Sequence, residues 1–193
     1  MNKISHIVLL ILIFLSSDLF PQDTKLISVS AKYSGDGAWK DWNISTDKGS
    51  GSYNTLYSGE NAWKQWKVTS PNSDGIIETI YSGDDAWQYW RFSFGNCSGT
   101  IRTVFSGEDA WKQWEITDGK QTLRITTVFS GEDAWKDWTI SSADGNLRVF
   151  TRFSGYGAWK DWNISDNLSG VSVELKIAAV FTCIYSGAVR IRR

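Results

Sequence analysis

The sequence predicts an all-β fold made of six tandem 24-residue β-hairpin repeats that form an antiparallel meander with a C-terminal capping strand. Three observations predict it. A motif of aromatic, Ser and Gly followed by Ala-Trp recurs every 24 residues. Apolar and polar residues alternate on both sides of the motif. Turn-forming stretches separate one copy from the next.

The copies are YSGDGAWKDWNIS from Tyr33, YSGENAWKQWKVT from Tyr57, YSGDDAWQYWRFS from Tyr81, FSGEDAWKQWEIT from Phe105, FSGEDAWKDWTIS from Phe129 and FSGYGAWKDWNIS from Phe153. Whole units begin near residues 29, 53, 77, 101, 125 and 149, without insertion or deletion, and all 12 tryptophans fall inside them, two per copy.

Each unit reads as strand, turn, strand, linker. Upstream of the aromatic, Ile101-Arg102-Thr103-Val104-Phe105 alternates with period two. The glycine two residues after each aromatic stands where a tight reversal needs positive φ. Trp114-Glu115-Ile116-Thr117 alternates again, and linkers such as Asp74-Gly75, Asp118-Gly119 and Asp144-Gly145 carry the hairpin signal. Twenty-four residues accommodate two short strands and two turns. A rival local reading is a short helix opened by Ser106 with Asp109 as its capping partner, and a single helical turn inside the loop is compatible with the hairpin. The meander would be open and solenoid-like or would close into a barrel. Propeller blades need four strands each, which two-strand units do not supply, and these strands are short for an outer-membrane barrel.

Residues 1–21 read as a signal peptide: Lys3 and His6, the apolar run from Ile7 to Leu15, then small Ser16 and Ser17. Nine apolar residues are too few to span a bilayer. The expectation is an exported chain, secreted, periplasmic or at the cell surface, with residues 22–172 as the six-repeat domain and 173–193 as its β cap. In that cap Val173, Leu175 and Ile177 alternate, a dense apolar run follows, and Arg190, Arg192 and Arg193 would blunt an edge strand.

Composition narrows function. The net charge of -1 argues against nucleic acid and against a polybasic membrane anchor. The single histidine, His6, is removed with the signal peptide, which excludes Ser-His and Cys-His catalysis and zinc hydrolysis by the mature chain. Acids recur in near-identical loops (Asp36, Glu60, Asp84, Asp85, Glu108, Asp109, Glu132, Asp133) and read as solvated turn residues rather than as a calcium site or a glycosidase pair. No catalysis, cofactor or metal is expected. Cys97 and Cys183 either form a disulfide or stand as one loop thiol and one buried thiol. Sequons at Asn43, Asn96, Asn163 and Asn167 matter only in a glycosylating host.

Alternation divides the tryptophans into two rows. Trp42, Trp66, Trp90, Trp114, Trp138 and Trp162 share a strand face with the apolar residue two positions on, and read as core. Trp39, Trp63, Trp87, Trp111, Trp135 and Trp159 fall by the same count on the opposite face, with Asp41, Gln65, Gln113, Asp137 and Asp161 beside them. Rungs two strand spacings apart, about 9.5 Å, would form an indole ladder suited to the apolar faces and hydroxyl rims of a glycan. The function expected is therefore non-catalytic binding of carbohydrate through the first row. The alternative is a structural or surface protein-interaction protein in which both rows are core.

Overall fold

The computed structural model describes residues 23–189. The signal-peptide expectation and the terminal arginines lie outside those residues. Twelve strands follow in order: β1 (Leu26–Ala31), β2 (Asp41–Thr46), β3 (Gly49–Thr55), β4 (Gln65–Thr69), β5 (Asp74–Thr79), β6 (Tyr89–Phe94), β7 (Cys97–Thr103), β8 (Gln113–Thr117), β9 (Thr122–Thr127), β10 (Asp137–Ser142), β11 (Gly145–Thr151) and β12 (Asp161–Asp166). Every strand pairs antiparallel with its sequence neighbours, and β1 pairs with β12 through Ser28↔Asn163, Val29↔Trp162 and Ser30↔Asp161. The meander is thus a closed barrel with no free edge.

Alternation decides which way each strand faces. Trp42, Trp66, Trp90, Trp114, Trp138 and Trp162 point into the bore and are almost fully buried, as are Ile44, Val68, Phe92, Ile116, Ile140 and Ile164 two residues on. Their strand neighbours point outward and form a polar wall. Cross-strand pairs Arg91–Glu78, Arg102–Glu115, Arg148–Asp137 and Arg152–Asp161 stitch it together. This wall is the reverse of a lipid-facing barrel surface, which carries an apolar outer band. Among the described residues, no helix is long and apolar enough to cross a membrane.

Twelve strands enclose more space than their own side chains fill. The C-terminal segment supplies the remainder, and here the expected capping strand is corrected: Val173–Ile184 is an α-helix, α1, followed by a π-helical turn at Tyr185–Val189. The helix stands inside the bore with every residue from Leu175 to Ile184 buried. Twelve residues rise about 18 Å, matching strands of about six residues. Val173, Leu175 and Ile177 mimic strand period, but a helix enclosed on all sides is apolar all round, so periodicity does not separate the two. Ser172 caps it, its hydroxyl accepting the Leu175 N–H at 3.2 Å. Phe181 and Tyr185 pack against Trp66 and Trp90, and the Tyr53 hydroxyl donates to the Ile177 carbonyl at 2.7 Å.

One polar group anchors the helix base. Lys176, fully buried, donates to both carboxylate oxygens of Asp166 at 3.2 and 3.0 Å and to the Leu168 carbonyl at 2.7 Å. Asp166 also accepts the backbone N–H of Leu26 and of Leu168. A single carboxylate therefore joins the start of β1, the end of β12 and the helix. Lys176→Met leaves that carboxylate buried without its counter-charge. Urea denaturation should show a loss of about 3–5 kcal/mol; a loss below about 1 kcal/mol would assign the pair no anchoring role.

Candidate functional site

The six motif loops all lie at one end of the barrel. Each reverses at the glycine after Ser, with φ between 86° and 97°. At Gly83 the pair φ 96°, ψ -173° is open essentially to glycine alone. The chain then makes a 3-10 turn through the first tryptophan: Asp36–Lys40, Ala62–Lys64, Asp84–Gln88, Ala110–Lys112, Glu132–Lys136 and Ala158–Lys160. The alanine of the motif is buried in all six.

The 3-10 turn corrects the expected placement of the first tryptophan row. Period-two alternation holds from Asp41 onward, but Trp39 and Lys40 belong to the turn, so counting across that junction assigns the wrong face. The first-row indoles fold over the barrel mouth instead of joining the outer wall. Trp63, Trp111 and Trp159 are buried, and Trp39, Trp87 and Trp135 are half-buried against the core. The 3-10 geometry brings residues i and i+3 together. In every repeat the second indole N–H accordingly donates to the carbonyl of the first tryptophan, at 2.6–2.7 Å.

Each first-row ring also packs on the second-row ring of the next repeat. Trp39–Trp66, Trp63–Trp90, Trp87–Trp114, Trp111–Trp138 and Trp135–Trp162 have centroids 5.9–6.3 Å apart, and Trp159–Trp42 completes the circle at 6.0 Å. Tilted and edge-on pairs of this kind are favourable beyond their buried area. Lys40, Lys64, Lys112, Lys136 and Lys160 place their ammonium groups 5.3–5.5 Å from the first-row ring of their own repeat.

The polar residues expected beside the first row lie elsewhere, on the outer wall. Asp41 accepts from Asn54 at 2.8 Å, and Gln65 donates to Glu78 at 2.7 Å. Asp137 accepts from Arg148 at 2.9 Å, Asp161 lies 3.8 Å from Arg152, and Gln113 pairs with Thr126 across β8 and β9. The outward row of Asp and Gln is thus a set of cross-strand contacts, separate from the indoles.

A different set of residues gathers at the mouth. A cleft of about 600 Å³ opens between the first three repeats, lined by Trp39, Gly59, Glu60, Asn61, Trp63 and Asp84. Of the expected binding residues it unites only Trp39 and Trp63. Glu60 and Asp84 are turn acids and Asn61 sits among them. Their convergence depends on adjacent repeats standing side by side, which a single unit read alone does not reveal. Around the same mouth the motif aromatics Tyr33, Tyr57, Tyr81, Phe105, Phe129 and Phe153 project outward, 56–65% exposed. The three tyrosines belong to the repeats that bound the cleft. At the opposite end a second cavity of about 560 Å³ is lined by Asn72, Asn96, Asp118, Lys120, Glu174 and others, with no aromatic side chain. There the backbone N–H groups of Gln121 and Lys120 outweigh partial burial and hold Asp118 below the usual carboxylate range.

Among the described residues no group of three or more acidic, cysteine or histidine side chains is placed to hold a metal. Both cysteines are free thiols, and Cys97 is the buried first residue of β7 rather than a loop residue. Burial raises both thiols above their ordinary pKa, the opposite of an activated nucleophile. No family model matches the chain, and no curated protein or solved structure matches it either.

An alanine at Gly83 meets nothing within 4 Å, so its cost is conformational alone. Gly83→Ala should lower stability by about 1–3 kcal/mol in chemical denaturation. No change would show that the turn tolerates ordinary backbone angles.

Proposed function

We propose that this chain is an exported, non-catalytic carbohydrate-binding module whose ligand is held at the mouth of the barrel. The observation that carries this reading is the cleft in which the half-buried Trp39 indole stands among Glu60, Asn61 and Asp84. A pyranose ring offers an apolar C–H face to an indole and a rim of hydroxyls to carboxylate and amide acceptors. The volume of about 600 Å³ suits a short oligosaccharide segment. Tyr33, Tyr57 and Tyr81 extend the aromatic surface beyond the cleft. The outer-wall ladder is replaced by this single rim site.

The structural alternative is favoured for part of the same row. Trp63, Trp111 and Trp159 are buried and linked edge-on to the next repeat, so their contribution is to the collar. Of the two first-row indoles that line the cleft, Trp39 is the one left partly exposed.

The test is titration of the folded protein with neutral, cationic and anionic oligosaccharides, read by intrinsic tryptophan fluorescence and calorimetry. Trp39→Ala should weaken binding about tenfold or more. Trp135→Ala, an equivalent half-buried position away from the cleft, should leave affinity unchanged. Failure of every glycan to bind, or equal loss in both variants, contradicts the reading.

A further inference from the structure

We infer that the saccharide recognised at the rim cleft carries a protonated amine, so that the ligand class is an amino sugar with free ammonium groups. The inference rests on the carbohydrate-binding reading and goes further by naming the charged group.

The protein itself displays how an ammonium is held at this rim. In the fourth repeat the Lys112 ammonium is 2.7 Å from Asp109 and 5.5 Å from the Trp111 ring centroid. In the fifth, Lys136 is 2.6 Å from Asp133 and 5.5 Å from Trp135. A carboxylate three residues upstream and an indole one residue upstream hold the cation by charge and by the ring quadrupole together.

The third repeat keeps the acid and the indole but changes the cation. Its loop reads Asp84-Asp85-Ala86-Trp87-Gln88, with glutamine where the other five repeats have lysine. Gln88 donates its amide to Asp85 at 3.0 Å, which supplies a hydrogen bond but no charge. The second repeat, across the cleft, contributes Glu60 and a single ammonium, Lys64, 5.4 Å from the Trp63 centroid. The three loops that bound the cleft thus hold Asp36, Glu60, Asp84 and Asp85 against two lysines, Lys40 over Trp39 and Lys64 over Trp63. Glu60 and Asp84 line the cleft beside Trp39 and Trp63. A cleft with indoles and excess carboxylate attracts an organic cation and repels uronic or sulfated sugars.

The test compares four probes on the intact protein by calorimetry near pH 6: a β-1,4-linked glucosamine trimer, its fully N-acetylated counterpart, the matching glucose trimer, and spermidine. The glucosamine trimer should bind about tenfold tighter than either neutral trimer. The preference should fall as salt is raised, and as pH rises through the amine's own pKa and the ligand loses its charge. Gln88→Lys restores the residue of the other five repeats and adds a positive charge to the loop that carries Asp84 and Asp85. It should abolish the preference while leaving neutral-trimer affinity unchanged; the pair Glu60→Gln with Asp84→Asn should abolish the preference too, and because both side chains line the cleft it should also weaken the neutral trimers. Equal affinity for all three trimers overturns the amino-sugar assignment and leaves the carbohydrate reading standing. Spermidine binding as tightly as the glucosamine trimer overturns it in favour of a bare polyamine site. Persistence of the preference in both variants overturns the assignment of the charge to this cleft. Binding of none of the probes, or of any other glycan, removes the carbohydrate reading with it.

Discussion

Each first-row tryptophan is covered by the repeat that follows it, and this dependence organises the molecule. Trp39 leans on Trp66, Trp63 on Trp90, and so on until Trp159 meets Trp42. In an open array the last indole would have no neighbour; in the ring every one has. The pairing also explains why the 24-residue spacing tolerates no insertion. An added residue would move one indole off its partner and reverse the in-out sense of the strand that follows. Closure creates a second requirement, because a twelve-stranded bore is too wide for side chains alone. Helix α1 meets it, and Asp166 fastens the helix to the same seam where β1 and β12 join.

Burial, wall and mouth then divide the chemistry. The bore carries apolar bulk and the outer wall carries cross-strand charge pairs, and both contribute to stability. The mouth differs because its loops reverse on positive-φ glycines and place acids, indoles and exposed rings within reach of one another. It is also where the repeats diverge: Asn61 and Gln88 depart from the consensus in two neighbouring loops, as do Gly37 in the first and Tyr156-Gly157 in the sixth. A symmetric ring becomes a site through such departures, and the rim cleft lies among them.

Much of this architecture was legible in the sequence. The repeat, its hairpins, the glycine reversals and the buried second tryptophan row all follow from period and composition, since a strand's two faces are set by parity. Three features were not. Parity puts the first tryptophan row on the wrong face because it fails at Lys40, where a 3-10 turn gives way to strand; the Trp-x-x-Trp spacing and the short-helix reading at Ser106 are the signals that point to the turn. Strand period does not single out the C-terminal helix because enclosure leaves nearly all of its surface apolar, although Ser172 ahead of Glu174 and Leu175 resembles a helix cap. The cleft is not visible in one unit because Trp39, Glu60 and Asp84 come from three consecutive repeats, and only the side-by-side pairing of those repeats brings them together.

Closure is the claim on which collar, bore and mouth all depend, and it is tested at the seam. Ser28 and Asn163 lie directly opposite each other on β1 and β12, on the outward face. Opposed residues of an antiparallel pair have Cβ atoms about 4.5–5.5 Å apart, near enough for an oxidised cysteine pair to form with slight adjustment. In the variant Ser28→Cys with Asn163→Cys, mild oxidation of the folded monomer should give an intramolecular disulfide between these positions, identified by peptide mass. Free thiols at both positions in folded protein, or only intermolecular links, would mean that the first and last strands are separate edges and that the barrel is open.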